Sequence, residues 1–288
     1  MTDEPIWMPG APVAEAVLAD VDARVAALRE RGVAVGLGTI VVGDDPASHS
    51  YVAKKHTTSE AHGITSHHQS LPSDASQAQV IEAVQRFNDD DAVTAYLVQL
   101  PLPKGLDEGP VLEAIDPAKD ADGLHPTNLG KLALGMDCPV ACTPAGIKAL
   151  LAHYDVPVSG RHVVIVGRGP TLGRPLSMLL SAKAAGANAA VTMVHTGVAD
   201  IAHHTRQADI VIGAAGVPSS ITADMVRPGA AVISGGITWE GKRLLPDVDE
   251  SVAEVAGWIT PRLGGVGPTT VAMLLSNTVA AAERRVGR

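Results

Sequence analysis

Tyr51 and Lys55 stand four residues apart. On a helix, positions i and i+4 share a face, so this spacing sets an aromatic ring beside an ammonium. Such a pair could hold a flat ligand and move a proton. Lys54 lies about 100° around the helix and points elsewhere. Pattern alone favours a solvated face for two adjacent lysines. Gln99 ends an apolar run, VTAYLVQL over residues 93–100, that stops at Pro101 and Pro103. Open parallel sheets bind ligands outside the carboxyl ends of their strands, which makes a polar strand-end residue a site candidate. A glutamine bonded to its own loop is the alternative. Asp122, before Gly123, offers a carboxylate to a ring bearing N–H donors, or closes an Asx turn.

A second chemistry is written at residues 162–175. The strand HVVIV (162–166) runs into Gly167-Arg168-Gly169-Pro170-Thr171-Leu172-Gly173, and a helix begins at Pro175. Glycines let backbone approach a pyrophosphate, and a helix N-terminus offers free N–H groups and a positive dipole. The third glycine comes one residue later than in G-x-G-x-x-G, so an ordinary strand-to-helix turn is the alternative. The next strand ends in Val194-His195-Thr196-Gly197, with no acid to hold a ribose 2′-hydroxyl. Arg168 with His195 and Thr196 suits a 2′-phosphate, so the expected cofactor is NADP. Arg168 as a solvated loop cation is equally open. The pairs His67-His68 and His203-His204 lack the i, i+4 spacing of a helical metal site and read as surface residues, so no metal is expected. Cys142 reads as a packing residue, and no G-x-S-x-G elbow is present.

These residues need a scaffold. The 288 residues are 46% hydrophobic and 18% charged, enough for a sizeable core. Lys+Arg 22 against Asp+Glu 31 gives −9, which argues against a global nucleic-acid footprint. No run approaches the roughly 18 apolar residues of a membrane span. The acidic N-terminus lacks a basic and apolar leader, and two cysteines make no disulfide framework. A cytoplasmic protein is expected. Val13, Val17, Val21, Val25 and Leu28 repeat at helical spacing, and residues 35–42 (VGLGTIVV) read as a buried strand. Asp45 and Pro46 then start a helix as N-cap and first residue. Further helices are expected at 80–88 and 175–184, and strands at 93–100, 190–194, 209–213, 230–233 and 258–259. Residues 116–144 read as one long irregular connection. Thr143 is expected to cap a helix through Tyr154, and 269–285 to form the last helix. Alternating short elements predict an α/β fold with mostly parallel sheets.

In order along the chain, several segments resemble the bifunctional methylenetetrahydrofolate dehydrogenase/cyclohydrolase family: Val42-Gly43-Asp44-Asp45-Pro46-Ala47-Ser48 with Tyr51 and Lys55; Val98-Gln99-Leu100-Pro101-Leu102-Pro103; residues 116–126 around Asp122; Cys142-Thr143-Pro144; Gly173-Arg174-Pro175; and Gly264-Gly265-Val266-Gly267-Pro268. The resemblance implies an N-terminal α/β substrate lobe at 1–143, joined by a returning helix at 269–288. It implies a Rossmann-like NADP lobe at 144–268, a folate cleft between the lobes, and a homodimer. The implied activity is oxidation of 5,10-methylenetetrahydrofolate to the methenyl form and its hydrolysis to 10-formyltetrahydrofolate. By position, Lys55 is the implied catalytic lysine of hydrolysis, Gln99 its partner, Tyr51 the ring stacked on folate and Asp122 the pterin-binding carboxylate. Leu100, Gly264 and Gly265 are further implied substrate contacts. Gly167, Arg168, Gly169, Gly173, Arg174, His195, Thr196 and Ile237 are implied cofactor contacts. The chain departs from the family's usual residues at Gly169, Ser234, Pro246, Arg262, Leu263 and Thr269. A monofunctional paralogue that keeps hydrolysis, or a folate-binding protein without turnover, are the alternatives.

Overall fold

The computed structural model describes residues 4–241 and 243–287. The first half holds β1 (Ile6–Trp7), α1 (Ala11–Glu30), β2 (Gly36–Val42), α2 (Pro46–Ala61), β3 (Thr65–Leu71), α3 (Gln77–Asp89), β4 (Ala95–Val98), α4 (Glu108–Glu113) and α5 (Pro126–Ala133). Then come α6 (Cys142–His153), β5 (His162–Val166), α7 (Gly173–Ser181), β6 (Ala190–Val194), α8 (Ile201–Thr205) and β7 (Ile210–Gly213). The chain closes with β8 (Ala231–Ser234), β9 (Ile237–Glu240), β10 (Arg243–Pro246), β11 (Trp258–Ile259) and α9 (Val266–Val286). Two compact units result. The first comprises residues 16–131, 137–140 and 271–287; the second comprises 4–15, 132–136 and 141–270.

The first unit is built on a parallel sheet in the order β3-β2-β4. Every residue of β2 is buried, as a continuous apolar run predicts for a central parallel strand. Helix α3 closes its N-terminus with a capping box between Ser76 and Gln79. It lays Val80, Ala83, Val84 and Phe87 on the sheet. A Cβ at Gly38 would stand 2.7 Å from both the Phe87 ring and Tyr96 Cβ, so glycine lets helix and strand close up. The Phe87 and Tyr96 rings then meet edge to face, 5.4 Å apart.

Strand β3 escaped the sequence reading because TSHHQSL carries almost no apolar signal. His67 sits on it half-buried, which corrects the surface reading for that residue, while His68 is exposed as expected. The buried Thr39 hydroxyl lies 3.0 Å from His56 Nε2 and 3.0 Å from His68 Nδ1. One hydroxyl proton serves only one of these nitrogens, so the other must donate. Neutral rings satisfy this; two imidazolium rings, their centroids 5.0 Å apart, would repel as like charges. Burial, and then the neighbouring His68, lower the His56 pKa from 6.5; burial, and then His49, lower that of His68. Glu60 on α2 opposes the first shift, and Lys55 adds to it. Below 6.5 the unfolded chain therefore binds more protons than the folded one, and stability falls as pH drops through that value. Urea midpoints for wild type and a His56→Gln/His68→Gln double variant, at pH 7.5 and 5.5, check this. The wild type should lose more on acidification, and equal losses would refute it.

The second unit carries a six-stranded parallel sheet in the order β1-β11-β8-β7-β5-β6, with β9 and β10 as a separate antiparallel hairpin. Ile147, Leu150 and Leu151 of α6 and Leu176 and Leu180 of α7 pack on one face. Val164, Val211 and Val232 face a second core on the other side. The sequence-based division assigns residues 1–143 to the first lobe, but Ile6 and Trp7 pair with Trp258 and Ile259, and the fully buried Met8 joins the second unit's core. Pairing of Ile6 and Trp7 with a strand some 250 positions away leaves no local signal in the sequence. Residues 116–144 are not one irregular loop, since α5 lies within them. Helix α6 begins at Cys142 with Ala141 at its cap and no side-chain cap bond. Thr143 is thus not the cap; it sits in the first turn, its hydroxyl 3.2 Å from that of Thr270.

Candidate active site

Helix α2 starts where its sequence dictates. Asp45 accepts from Ser48 N–H at 2.9 Å and from the Ser48 hydroxyl at 2.8 Å, with Pro46 as first helical residue. One turn on, Lys55 and Tyr51 share a face: Lys55 Nζ lies 4.6 Å from the Tyr51 ring centroid. Lys54 is exposed, whereas Lys55 is only 3% exposed. The solvated-face reading therefore holds for Lys54 and fails for Lys55.

Lys55 Nζ donates to Gln99 Oε1 at 3.0 Å. Gln99 Nε2 donates to the Leu100 carbonyl at 2.8 Å. An ammonium only donates and a carbonyl only accepts, so this amide has one workable orientation, with its oxygen toward Lys55. The loop-bonding alternative for Gln99 is thus realised, and that bond aims the amide oxygen at Lys55.

Asp122 reaches the same end of the sheet by register. Tyr96 N–H donates to the Lys119 carbonyl and Ala121 N–H donates to the Tyr96 carbonyl, so residues 119–121 run parallel beside β4. Asp122 then stands level with the strand residue before Gln99. Asp120 organises this turn. It is 2% exposed and accepts from Gly123 N–H, Leu124 N–H, His125 N–H and Asn128 Nδ2. Burial pushes its carboxyl above the usual range, while Asn128 and His125 N–H pull it back. The sequence reading gave Asp122 the Asx turn as an alternative; the turn belongs to Asp120, which leaves the half-buried Asp122 carboxylate for other work. Asn277 of α9 pins the strip by donating to the Ala121 and Val140 carbonyls at 2.9 Å each.

The glycine loop lies in the second unit, between β5 and α7. Gly167 has φ +133°, and a Cβ there would meet Ala214 O at 2.2 Å. A Cβ at Gly173 would meet Gly167 O at 2.3 Å, so the helix start presses on the loop. Gly169 faces open space. Arg168, Arg174 and Thr196 are exposed, and Ile237 is 50% exposed. Gly197 N–H lies 3.1 Å from His195 Nδ1, on the other side of the ring from Nε2. Arg168 Nη1 stands 3.2 Å from that Nε2.

Gly264 and Gly265 also lie in the second unit, where Gly10 N–H donates to the Gly264 carbonyl and a Cβ at Gly10 would meet Gly265 O at 2.0 Å. Ser234, Pro246 and Arg262 line one cavity of about 210 Å³ with Trp7 and Ile259. Three of the departures thus fall in one place. Sequence reading missed Asp120 and the fully buried Asp247. Asp120 lay in a segment already quoted, two residues from the carboxylate chosen. Among the described residues no group of three His, Cys, Asp or Glu side chains could hold a metal ion, and no helix is long and apolar enough to cross a membrane.

Two family models match the chain: tetrahydrofolate dehydrogenase/cyclohydrolase, catalytic domain, over residues 8–122, and tetrahydrofolate dehydrogenase/cyclohydrolase, NAD(P)-binding domain, over residues 141–286. The bifunctional protein FolD of Syntrophotalea carbinolica is 61% identical over 97% of this chain and 96% of its own length. The crystal structure of FolD from Campylobacter jejuni superposes with a TM-score of 0.92 at 37% identity, covering 97% of this chain and 99% of that one. A Trypanosoma brucei methylenetetrahydrofolate dehydrogenase-cyclohydrolase, solved with NADP cofactor and inhibitor, matches with a TM-score of 0.92 at 37% identity over 99% of this chain and 100% of that one. The chain therefore belongs to the tetrahydrofolate dehydrogenase/cyclohydrolase family.

Proposed function

We propose that this chain oxidises 5,10-methylenetetrahydrofolate with NADP and hydrolyses the resulting 5,10-methenyltetrahydrofolate to 10-formyltetrahydrofolate. The observation that carries the reading is the buried Lys55 held between the Tyr51 ring and an amide of fixed orientation. The oxidation moves a hydride and leaves a cation shared by two folate nitrogens, so it needs alignment and no protein base. Hydrolysis adds water to that cation, opens a carbon–nitrogen bond and releases one proton. Lys55 Nζ as the amine takes a proton from the attacking water, and as the ammonium returns it to the leaving folate nitrogen. Gln99 Oε1 orients Nζ, the Tyr51 ring supports the folate face, and Asp122 receives N–H donors of the pterin. Leu100, Gly264 and Gly265 complete the substrate contacts.

NADP, when bound, accepts the hydride at its nicotinamide. The residues present fit it. Strand β5, the glycine loop and the start of α7 offer backbone N–H groups at a helix N-terminus. The Arg168 guanidinium, 3.2 Å from His195 Nε2, supplies a cation for a 2′-phosphate, beside Thr196 and with no acid at the end of β6. Arg168→Gln should lower the NADP/NAD ratio of kcat/KM by about tenfold or more, the scale of one lost charge-assisted contact. An unchanged ratio in steady-state assays with both cofactors would place the phosphate elsewhere.

The test of the whole reading is a paired assay. Methylenetetrahydrofolate is supplied with NADP and reduced cofactor followed; methenyltetrahydrofolate is supplied and its loss followed above the spontaneous rate. Both should be catalysed. Hydrolysis alone would identify a cyclohydrolase whose cofactor site is disabled, and silence in both would refute the reading. The same proposal includes a homodimer paired through the second unit, in a reducing cytoplasm. Light scattering that finds only monomer at micromolar concentration would exclude the dimer.

A further inference from the structure

Asp247 has no part in the chemistry just described, yet it is 0% exposed. Its Oδ2 accepts from Ala215 N–H at 2.8 Å and Gly216 N–H at 3.1 Å, and its Oδ1 accepts from Val217 N–H at 2.8 Å. Burial pushes the carboxyl pKa up and the three N–H groups oppose it. Three successive amides converging on an anion form a nest, a backbone course whose aligned dipoles need negative charge at their focus. Here the protein supplies that charge from its own chain.

The place matters. In the sheet, β5 has β6 on one side and β7 on the other, so the order reverses between β5 and β7. Doubly wound sheets bind dinucleotides in the crevice at this reversal, outside the carboxyl ends of the strands. One lip is the glycine loop after β5. The other is residues 214–217 after β7, the segment that Asp247 holds. The two lips touch: a Cβ at Gly167 would meet Ala214 O at 2.2 Å and Ala215 N at 2.8 Å. Asp247 also meets the segment before Ile237. Its own N–H donates to the Gly236 carbonyl at 3.3 Å, and a Cβ at Gly236 would meet Asp247 Oδ2 at 2.1 Å. The Thr238 hydroxyl adds a second tie by donating to the Gly216 carbonyl.

We infer that Asp247 is a positioning residue for the dinucleotide, fixing the 214–217 lip of the crevice without touching the cofactor. The inference rests on the proposed NADP-dependent oxidation and names what holds that site in shape. Asparagine at 247 keeps size and one acceptor but turns an amide N–H toward backbone N–H. Asp247→Asn should therefore raise the NADP KM at least about tenfold, the scale of one lost buried hydrogen bond to a charge. The kcat at saturating NADP should stay within about threefold, because the reacting groups are untouched. Methenyltetrahydrofolate hydrolysis should stay within about twofold, because Tyr51, Lys55, Gln99 and Asp122 belong to the first unit. Thr238→Val, a milder cut of the same lip, should raise the NADP KM by about two- to fivefold with kcat kept. It carries the test if Asp247→Asn does not fold. An unchanged NADP KM in the variants, or a parallel fall of kcat and hydrolysis, overturns the inference. Wild-type protein that never reduces NADP overturns the proposed oxidation instead, which the wild-type arm reads separately.

Discussion

Replacing Lys55 by methionine should remove methenyltetrahydrofolate hydrolysis by about a thousandfold, within the range of lost general acid–base catalysis, and leave methylenetetrahydrofolate oxidation within about tenfold. The residue is 3% exposed and methionine matches its stem in length, so packing is kept. Only the nitrogen is lost. Its removal leaves Gln99 Oε1 without its Lys55 donor, which costs about 1–3 kcal/mol where no water reaches it, and it also relieves the burial of an ammonium. The fold should survive. The two activities should then separate, because only hydrolysis passes a proton between water, protein and folate nitrogen. The paired assay, run on purified variant of unchanged melting temperature, reads this directly. Hydrolysis retained at the wild-type rate would remove Lys55 from the mechanism. Equal loss of both activities would make it a folate-binding residue and no more.

The separation between legible and hidden features follows the range of the forces. Helix α2 was legible because its start is local: Asp45 and Pro46 satisfy and pre-form the first turn, and spacing alone set Tyr51 over Lys55. The strands β2 and β5 were legible as apolar runs, and the loop after β5 by its glycines. What could not be read was exposure. Lys54 and Lys55 are identical in type and adjacent, and only the packed helix separates an exposed ammonium from a buried one. Likewise Asp120 and Asp122 flank one alanine. Parallel pairing with Tyr96 decides which carboxylate folds inward to hold the turn. Strand β3 is an edge strand with a polar sequence, held by backbone pairing to β2 that side-chain periodicity does not record. Asp247 reads as one acid among many until residues 215–217 are seen to converge on it.

Substituting alanine for Gly167 should abolish most NADP-dependent oxidation, lowering kcat/KM for NADP at least about a hundredfold, or roughly 2.7 kcal/mol. Two independent constraints meet at this position. Its φ of +133° lies where L side chains are strained by about 1–3 kcal/mol. The added Cβ would also stand 2.2 Å from Ala214 O, 2.4 Å from Ala214 C and 2.8 Å from Ala215 N. All three are backbone atoms, so no rotamer change gives relief. The β7 lip must move away, and Asp247, anchored to its next three amides, resists that movement. Gly169 makes the comparison. Its Cβ would meet nothing within 4 Å, so Gly169→Ala should lose less than about tenfold even though it lies in the same loop. Hydrolysis should persist in both variants, since Lys55 on α2 and Gln99 just after β4 sit in the first unit. Kinetics of Gly167→Ala and Gly169→Ala with varied NADP measure the contrast. Equal, small losses in the two would mean that the loop does not receive the cofactor, whatever its glycine spacing. A large loss at 167 with a small one at 169 follows only if close backbone approach between the two lips, and not glycine content, makes the crevice.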